Sequence, residues 1–291
     1  MSKGEIIWKD EYCIGVDYVD KAHKKLFELV SDISNVMDSH NYDNEGYACM
    51  QAINFLKSYT ILHFKEEEGY MLQIGYQGYY NHKAIHDNLK EVVLPEFEKR
   101  LSESQFAPEV VEEFVALITG WLFGHILIED LAITGKVASR YKKYSNDVKM
   151  TLRKEIERFG RDFIRINAVL ADAEYEGRKV SNAMYYEMVY KEGYTVTVIA
   201  DKRIITQIAT NITGVKLTEI TKMALIEYVQ IIQSIAKGAL YLIEKEDSFE
   251  LISHRVFEAE ELSEKFLVSL PEYSMLWNSE LGELALCILK Q

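Results

Sequence analysis

The feature that most constrains this chain is where its histidines stand. Of seven histidines, five (His23, His63, His82, His86 and His125) fall on segments whose apolar residues recur at helical spacing. The first segment carries Val19, Ala22, Leu26, Leu29, Val30 and Ile33, with Asp17 or Asp20 placed to cap its start. The polar run 41–46 is a turn. A second helix follows with Met50, Ile53, Phe55, Leu56, Tyr59, Ile61 and Leu62. Gly75 and Gly78 break the pattern before a third helix, Asn81 to Leu101, in which Pro95 predicts a kink. Ala107-Pro108-Glu109 opens the fourth, which holds Val111, Phe114, Val115, Leu117, Ile118, Trp121 and Leu122. Four consecutive helices joined by short turns predict an up-down-up-down all-α four-helix bundle.

A lone histidine on an apolar helix face is more often a packed core residue than a ligand, and His23 stands alone. The set is different. His63 and Glu67 are four apart and share a helical face, as do His82 and His86. His125 and Asp130 are five apart, about 140° around an ideal helix, so they converge only if the helix ends or distorts there. Burying five imidazoles and two carboxylates without a cation is costly. The set exceeds what one tetrahedral zinc uses and suits two metals bridged by carboxylates. Imidazole-rich ligation without thiolate favours iron, copper, zinc or nickel. Glu66 and Glu68 read as solvated helix-face charges. His40 and His254 are left out of the metal set.

The remainder of the chain narrows the class. Its 291 residues suit two domains of about 100–200 residues. The charge balance, Lys+Arg 33 against Asp+Glu 46, disfavours binding to nucleic acid, which needs a basic face. Cys13, Cys49 and Cys287 are too scattered for a disulfide framework, and the N-terminus lacks the pattern of a signal peptide. The most apolar stretch, Phe114 to Ile128, is shorter than the roughly 20 residues that span a bilayer and contains His125, so it reads as a buried helix. A cytoplasmic protein with no membrane association is expected.

Past a connector at 136–149 the pattern changes. Met150 to Ala171 reads as an amphipathic helix. Strands are expected at Ala183–Tyr190 and Tyr194–Ile199, helices at about 202–213 and 218–244, and strands again at Phe249–Phe257, Lys265–Leu270 and Leu281–Ile288. The expectation is a bundle at 1–135 and an α+β domain at 150–291.

The N-terminal part resembles the bacterial hemerythrins. The resemblance rests on Ile14-Gly15-Val16-Asp17, Asp20-Lys21-Ala22-His23 through Phe27, His63-Phe64-Lys65-Glu66-Glu67, His82-Lys83-Ala84-Ile85-His86-Asp87, and Trp121 through Asp130. It implies two non-haem iron ions, oxo- or hydroxo-bridged when oxidised, with O2 as ligand. By that resemblance His82, His86 and His125 hold one iron. His23 and His63 hold the other, which keeps an open position, and Glu67 and Asp130 bridge. Trp121 and Leu122 would line the O2 pocket. NO and peroxide fit an open ferrous position equally.

The C-terminal part resembles the CheX/CheC group of chemotaxis phosphatases, in its order of elements and in Leu225 through Ile232 and Glu280 through Cys287. That group presents a Glu and, three residues on, an Asn, which orient a water for attack on a receiver aspartyl-phosphate. Glu227 matches the acid. Gln230 stands in place of the Asn, and no proline occurs in the following strand. The resemblance implies a response-regulator receiver as partner and a sheet-mediated homodimer. Three functions are thus open: an O2 or redox sensor with a chemotaxis-type signalling output, a receiver phosphatase regulated by the diiron bundle, and O2 storage or iron handling.

Overall fold

The computed structural model describes residues 8–38, 45–136, 148–244 and 249–290. Most of the turn at 41–46, most of the connector, His40 and the side chain of Cys49 lie outside the described residues. The chain divides into two compact units, the first built mainly on residues 1–142 and the second mainly on 143–291.

The first unit is helical. The extended lead-in expected before Asp17 contains a short 3-10 turn, Asp10–Tyr12, in the part that is described. Helix α1 (Asp17–Asp38) buries Val19, Ala22, Leu26, Val30 and Ile33 along one stripe, as its spacing predicts. Asp20 reaches back from the first turn and accepts hydrogen bonds from the backbone N–H groups of Ile14 (2.6 Å) and Gly15 (3.0 Å). That places a negative charge at the positive end of the helix dipole. Helix α2 (Glu45–Gln73) is followed by α3 (Tyr79–Asn88), and α3 runs through a π-helical segment, Leu89–Val93, into α4 (Leu94–Glu103). Pro95 thus sits in the first turn of α4. The widened π segment just before it takes up a residue that has no N–H to give and whose ring crowds the preceding turn.

Helix α5 (Pro108–Gly124) starts on proline as expected, then passes through a second π-helical segment, His125–Asp130, into the short α6 (Leu131–Ile133). The continuous helix Pro108–Ile133 is long and apolar enough to cross a membrane, but two-thirds (67%) of its most apolar window is buried inside the protein. It carries buried His125, Glu129 and Asp130, which marks it as a core helix.

The second unit is α+β. Helix α7 (Val148–Phe159) ends in a π-helical turn, Gly160–Ile164, and Arg165 closes it in the left-handed region at φ 68°. The helix expected over 150–171 therefore stops early, and β1 (Val169–Asp172) takes its last residues. Strands β2 (Ala183–Tyr190) and β3 (Tyr194–Asp201) form as expected. They precede α8 (Lys202–Thr213), α9 (Lys222–Glu244) and β4 (Leu251–Phe257). The expected strand at 265–270 is instead the end of a helix, α10 (Ala259–Val268). Its start signal is a capping box in which Glu258 and Glu261 each accept the other's backbone N–H. The β-branched and aromatic look of Lys265–Leu270 hid that signal. Strand β5 (Tyr273–Ser279), which periodicity did not predict, turns into β6 (Gly282–Lys290).

The sheet order is β1-β5-β6-β3-β2-β4, with every pairing antiparallel. Residues of β3 are buried on both faces. Its polar residues Thr195, Thr197 and Asp201 are buried with the apolar ones, as is Glu187 of β2. On one face Tyr185, Ile199, Leu276, Ala285 and Cys287 pack with Phe257, Leu262 and Phe266. On the other, Val198, Trp277, Leu284 and Leu286 meet Ile156 and Phe159 of α7, Ile204 and Ile208 of α8, and Tyr228 and Ile232 of α9.

Candidate metal centre

Helices α1, α2 and α3 and the second π-helical segment each deliver donors to one place. His23 comes from α1, His63 and Glu67 from α2, and His82 and His86 from α3. His125 and Asp130 bound the second π-helical segment. All seven side chains are 3% exposed or less. The π segment answers the spacing problem: with i→i+5 bonding, residues five apart return to one face. His125 Nε2 accordingly lies 3.0 Å from Asp130 Oδ1.

Two groups of donors form, each with its ligand atoms within 4.8 Å of one another: Glu67, His82, His86 and His125, and His23, His63 and Glu67. Glu67 belongs to both. Its two oxygens lie 3.3 Å from His63 Nε2 and 3.4 Å from His82 Nε2. Asp130 also reaches both sides, with Oδ2 at 3.2 Å from His23 Nε2 and Oδ1 at 3.3 Å from His82 Nε2. His86 Nε2 and His125 Nε2 are 2.9 Å apart.

Electrostatics prepare these groups as ligands. Burial, reinforced by the neighbouring His23, holds the His63 imidazole neutral, well below its usual pKa. Burial, with His82 and His125, does the same for His86. A neutral imidazole is the metal-binding form. Burial works against the Asp130 charge, yet His125 and His23 outweigh it and hold this carboxyl well below the usual range. Glu67 is pushed up by burial and by the Asp130 charge beside it. Both oxygens of each carboxylate and both ring nitrogens of His23 are buried without a hydrogen bond among the described residues. Lone pairs facing lone pairs in a dry interior call for a cation, so the donor set fits a metal.

Aromatic rings wall the cluster. Phe64 lies flat on His86, and Trp121 stacks on His125 with centroids 4.4 Å apart. Trp121 is therefore set against the three-imidazole group, and Leu122 is buried one residue on. Trp8, whose ring lies 6.2 Å from His23, belongs to a cluster with Tyr12, Phe27 and Phe123. Sequence reading missed this second aromatic wall, although Trp8 and Tyr12 stand in plain view before α1. It also took Glu68 for a solvated charge. Glu68 is half-buried, with Oε1 3.0 Å from His86 Nδ1. Glu66 is exposed as expected, and His254 is exposed on β4.

In the second unit, Glu227 lies on the buried stripe of α9 with Ala224, Tyr228 and Ile231. Its Oε2 has no hydrogen bond among the described residues, and burial pushes its carboxyl up to about 8. Gln230 is half-buried on the flank of the same helix. At neutral pH Glu227 is therefore mainly a neutral acid.

Comparison with known proteins bears on the N-terminal unit first. Residues 14–137 match the family model of the hemerythrin HHE cation binding domain. The bacteriohemerythrin of Clostridium acetobutylicum is 32% identical over 124 residues, which cover 43% of this chain and 95% of that protein. The bacteriohemerythrin of Pseudomonas aeruginosa is 30% identical over 129 residues, covering 43% of this chain and 76% of that one. The chain belongs to the hemerythrin family, and its N-terminal helical unit is a hemerythrin domain with a metal site. Among solved structures, the chemotaxis protein CheX from Vibrio vulnificus is similar at 9% identity and a TM-score of 0.35, over 50% of this chain and 99% of that one. A CheC-like superfamily protein from Shewanella is similar at 11% identity and the same TM-score, over 50% and 97%.

Proposed function

We propose that this protein is an O2-binding diiron sensor whose second unit carries a chemotaxis-type signalling output in the cytoplasm. The observation that carries the proposal is the division of six buried donors into two groups that share Glu67, with buried Asp130 reaching both. Two ferrous ions held there would supply the electrons that reversible O2 binding requires. The chain's own residues do the rest. Three imidazoles serve one position and two serve the other, so donor counting leaves the second position the room for a small ligand. Trp8, Tyr12, Phe27 and Phe123 pack beside that two-imidazole side. Phe64 and Trp121 stack on His86 and His125 of the other. Excluding water strengthens the electrostatics of the site and protects a bound ligand from protons. His63 and His86 are held neutral and Asp130 charged, the forms that ligate, whereas Glu67, pushed up by burial and by Asp130, would give up its proton as cations bind.

A sensor also requires that ligand binding favour one state of the output unit over another. The test is the metal content and visible spectrum of anaerobically reduced protein before and after O2, with hydrogen exchange across 150–291 in each state. The expected result is two irons per chain, bands that appear with O2 and fade on its removal, and a changed exchange pattern in the second unit. Oxidation without a reversible adduct would overturn O2 binding. Unchanged exchange would overturn sensing and leave O2 storage.

A further inference from the structure

Among the five buried imidazoles, His86 is gripped from outside the ligand set. Its Nδ1 lies 3.0 Å from Glu68 Oε1, while its Nε2 faces Glu67 and His125. Phe64, four residues before Glu68 on α2, stacks on the same ring with centroids 3.7 Å apart and planes within 5°. One turn of α2 therefore holds the ring by its edge and by its face. The equivalent Nδ1 atoms of His23, His63 and His125 are buried without a hydrogen bond among the described residues. The grip is thus uneven: it falls on the three-imidazole group.

The chemistry of such a contact is general. A neutral imidazole carries its proton on one nitrogen, and only the other can ligate. A carboxylate that accepts from Nδ1–H selects the tautomer with a free Nε2 lone pair, fixes the ring plane and raises the basicity of the donor. Glu68 itself sits half-buried in a charged neighbourhood: burial and Asp87 oppose its charge, while Lys83 and Lys90 favour it, and both lysines pair with Asp87, at 2.5 Å and 2.7 Å.

We propose that Glu68 is a positioning residue for the metal centre: it holds His86 as the Nδ1–H tautomer with Nε2 aimed inward, and the affinity of the three-imidazole position depends on it. This rests on the metal-centre reading above and adds a residue outside the ligands and an inequality between the two positions.

The test compares Glu68→Ala and Glu68→Gln in the full chain. Nitrogen-15 NMR of metal-free protein reads the His86 tautomer directly. The wild type and Glu68→Gln, whose amide oxygen still accepts, are expected to show Nδ1–H, and Glu68→Ala a mixture. Chelator competition then reads iron binding. Glu68→Ala is expected to weaken one of two iron equivalents by about 10–100-fold, with partial rescue in Glu68→Gln. An unchanged tautomer together with unchanged affinity in Glu68→Ala overturns the proposal. If Glu68→Ala does not fold, the iron affinity of Glu68→Gln decides: a neutral amide is a weaker acceptor than a carboxylate, so an affinity equal to wild type at both positions overturns the proposal. A wild type that takes up no iron, with a tautomer that still follows Glu68, would sink the metal-centre reading and leave the orienting contact standing.

Discussion

At the scale of single residues, the protein buries carboxyls in two opposite settings. Glu67 and Asp130 face imidazole nitrogens and fit a cation, whereas Glu227 is buried, its Oε2 has no hydrogen bond among the described residues, and it keeps its proton. The folded pKa of Glu227, about 8, lies above the unfolded value of about 4.3. The native state therefore binds the extra proton between these limits. The stabilisation is complete below the unfolded pKa and is lost as pH rises through the folded one. Denaturant unfolding of wild type and Glu227→Gln at pH 5 and pH 9 checks this. Wild type is expected to lose stability relative to the variant by a few kcal/mol, on the scale of ~1.4 kcal/mol per pH unit. Equal pH dependence of the two proteins would show that Glu227 is not held neutral. The same neutrality bears on catalysis, because a carboxyl that orients water for phosphate attack works as the anion.

At the scale of elements, irregular helix carries function and glycine carries a turn. The π-helical segment His125–Asp130 is the device that lets one helix supply two donors at a five-residue spacing. A regular helix would have carried Asp130 away from the cluster. In the sheet, Gly282 joins β5 to β6 at φ +115°, and a Cβ there would run into the side chain of Asp201. Asp201 has little freedom to yield, because it accepts hydrogen bonds from Asn182 and Arg203. Gly282→Ala is expected to destabilise the α+β unit by roughly 2–4 kcal/mol, from backbone strain plus overpacking. Thermal unfolding followed by tryptophan fluorescence would report it, since Trp277 is buried in β5. A melting temperature within a degree of wild type would contradict the packing at this turn.

At the scale of the whole molecule, metal and stability are linked through one unit. A cation that binds the folded bundle and not the unfolded chain stabilises it by mass action, about 4 kcal/mol at a thousandfold excess over its Kd. Calorimetry of iron-loaded and chelated protein is expected to show two transitions, with only the helical unit's transition falling on chelation. Protein in which neither transition moves would speak against a metal that is part of the bundle. The buried positions of all seven donors make this coupling strong, because removing the cation leaves their unsatisfied atoms inside.

The candidate donors were legible in the sequence because helical periodicity is a local property. His63 with Glu67 and His82 with His86 announce a shared face by spacing alone, and the bundle follows from four apolar stripes. Asp130 was legible only as a condition, since periodicity states that five residues miss the face and not how a helix widens to recover it. Likewise β5 and α10 escaped because part of the packing that defines them comes from chain far away, β5 against β1 and Phe266 against Tyr175. The sequence determined which atoms can bind a metal. Only the tertiary structure decided that Glu67 serves two groups at once, that Glu68 turns inward to His86, and that Glu227 loses its charge. Each of those depends on distance and on exclusion of water, and neither is a property of spacing along a chain.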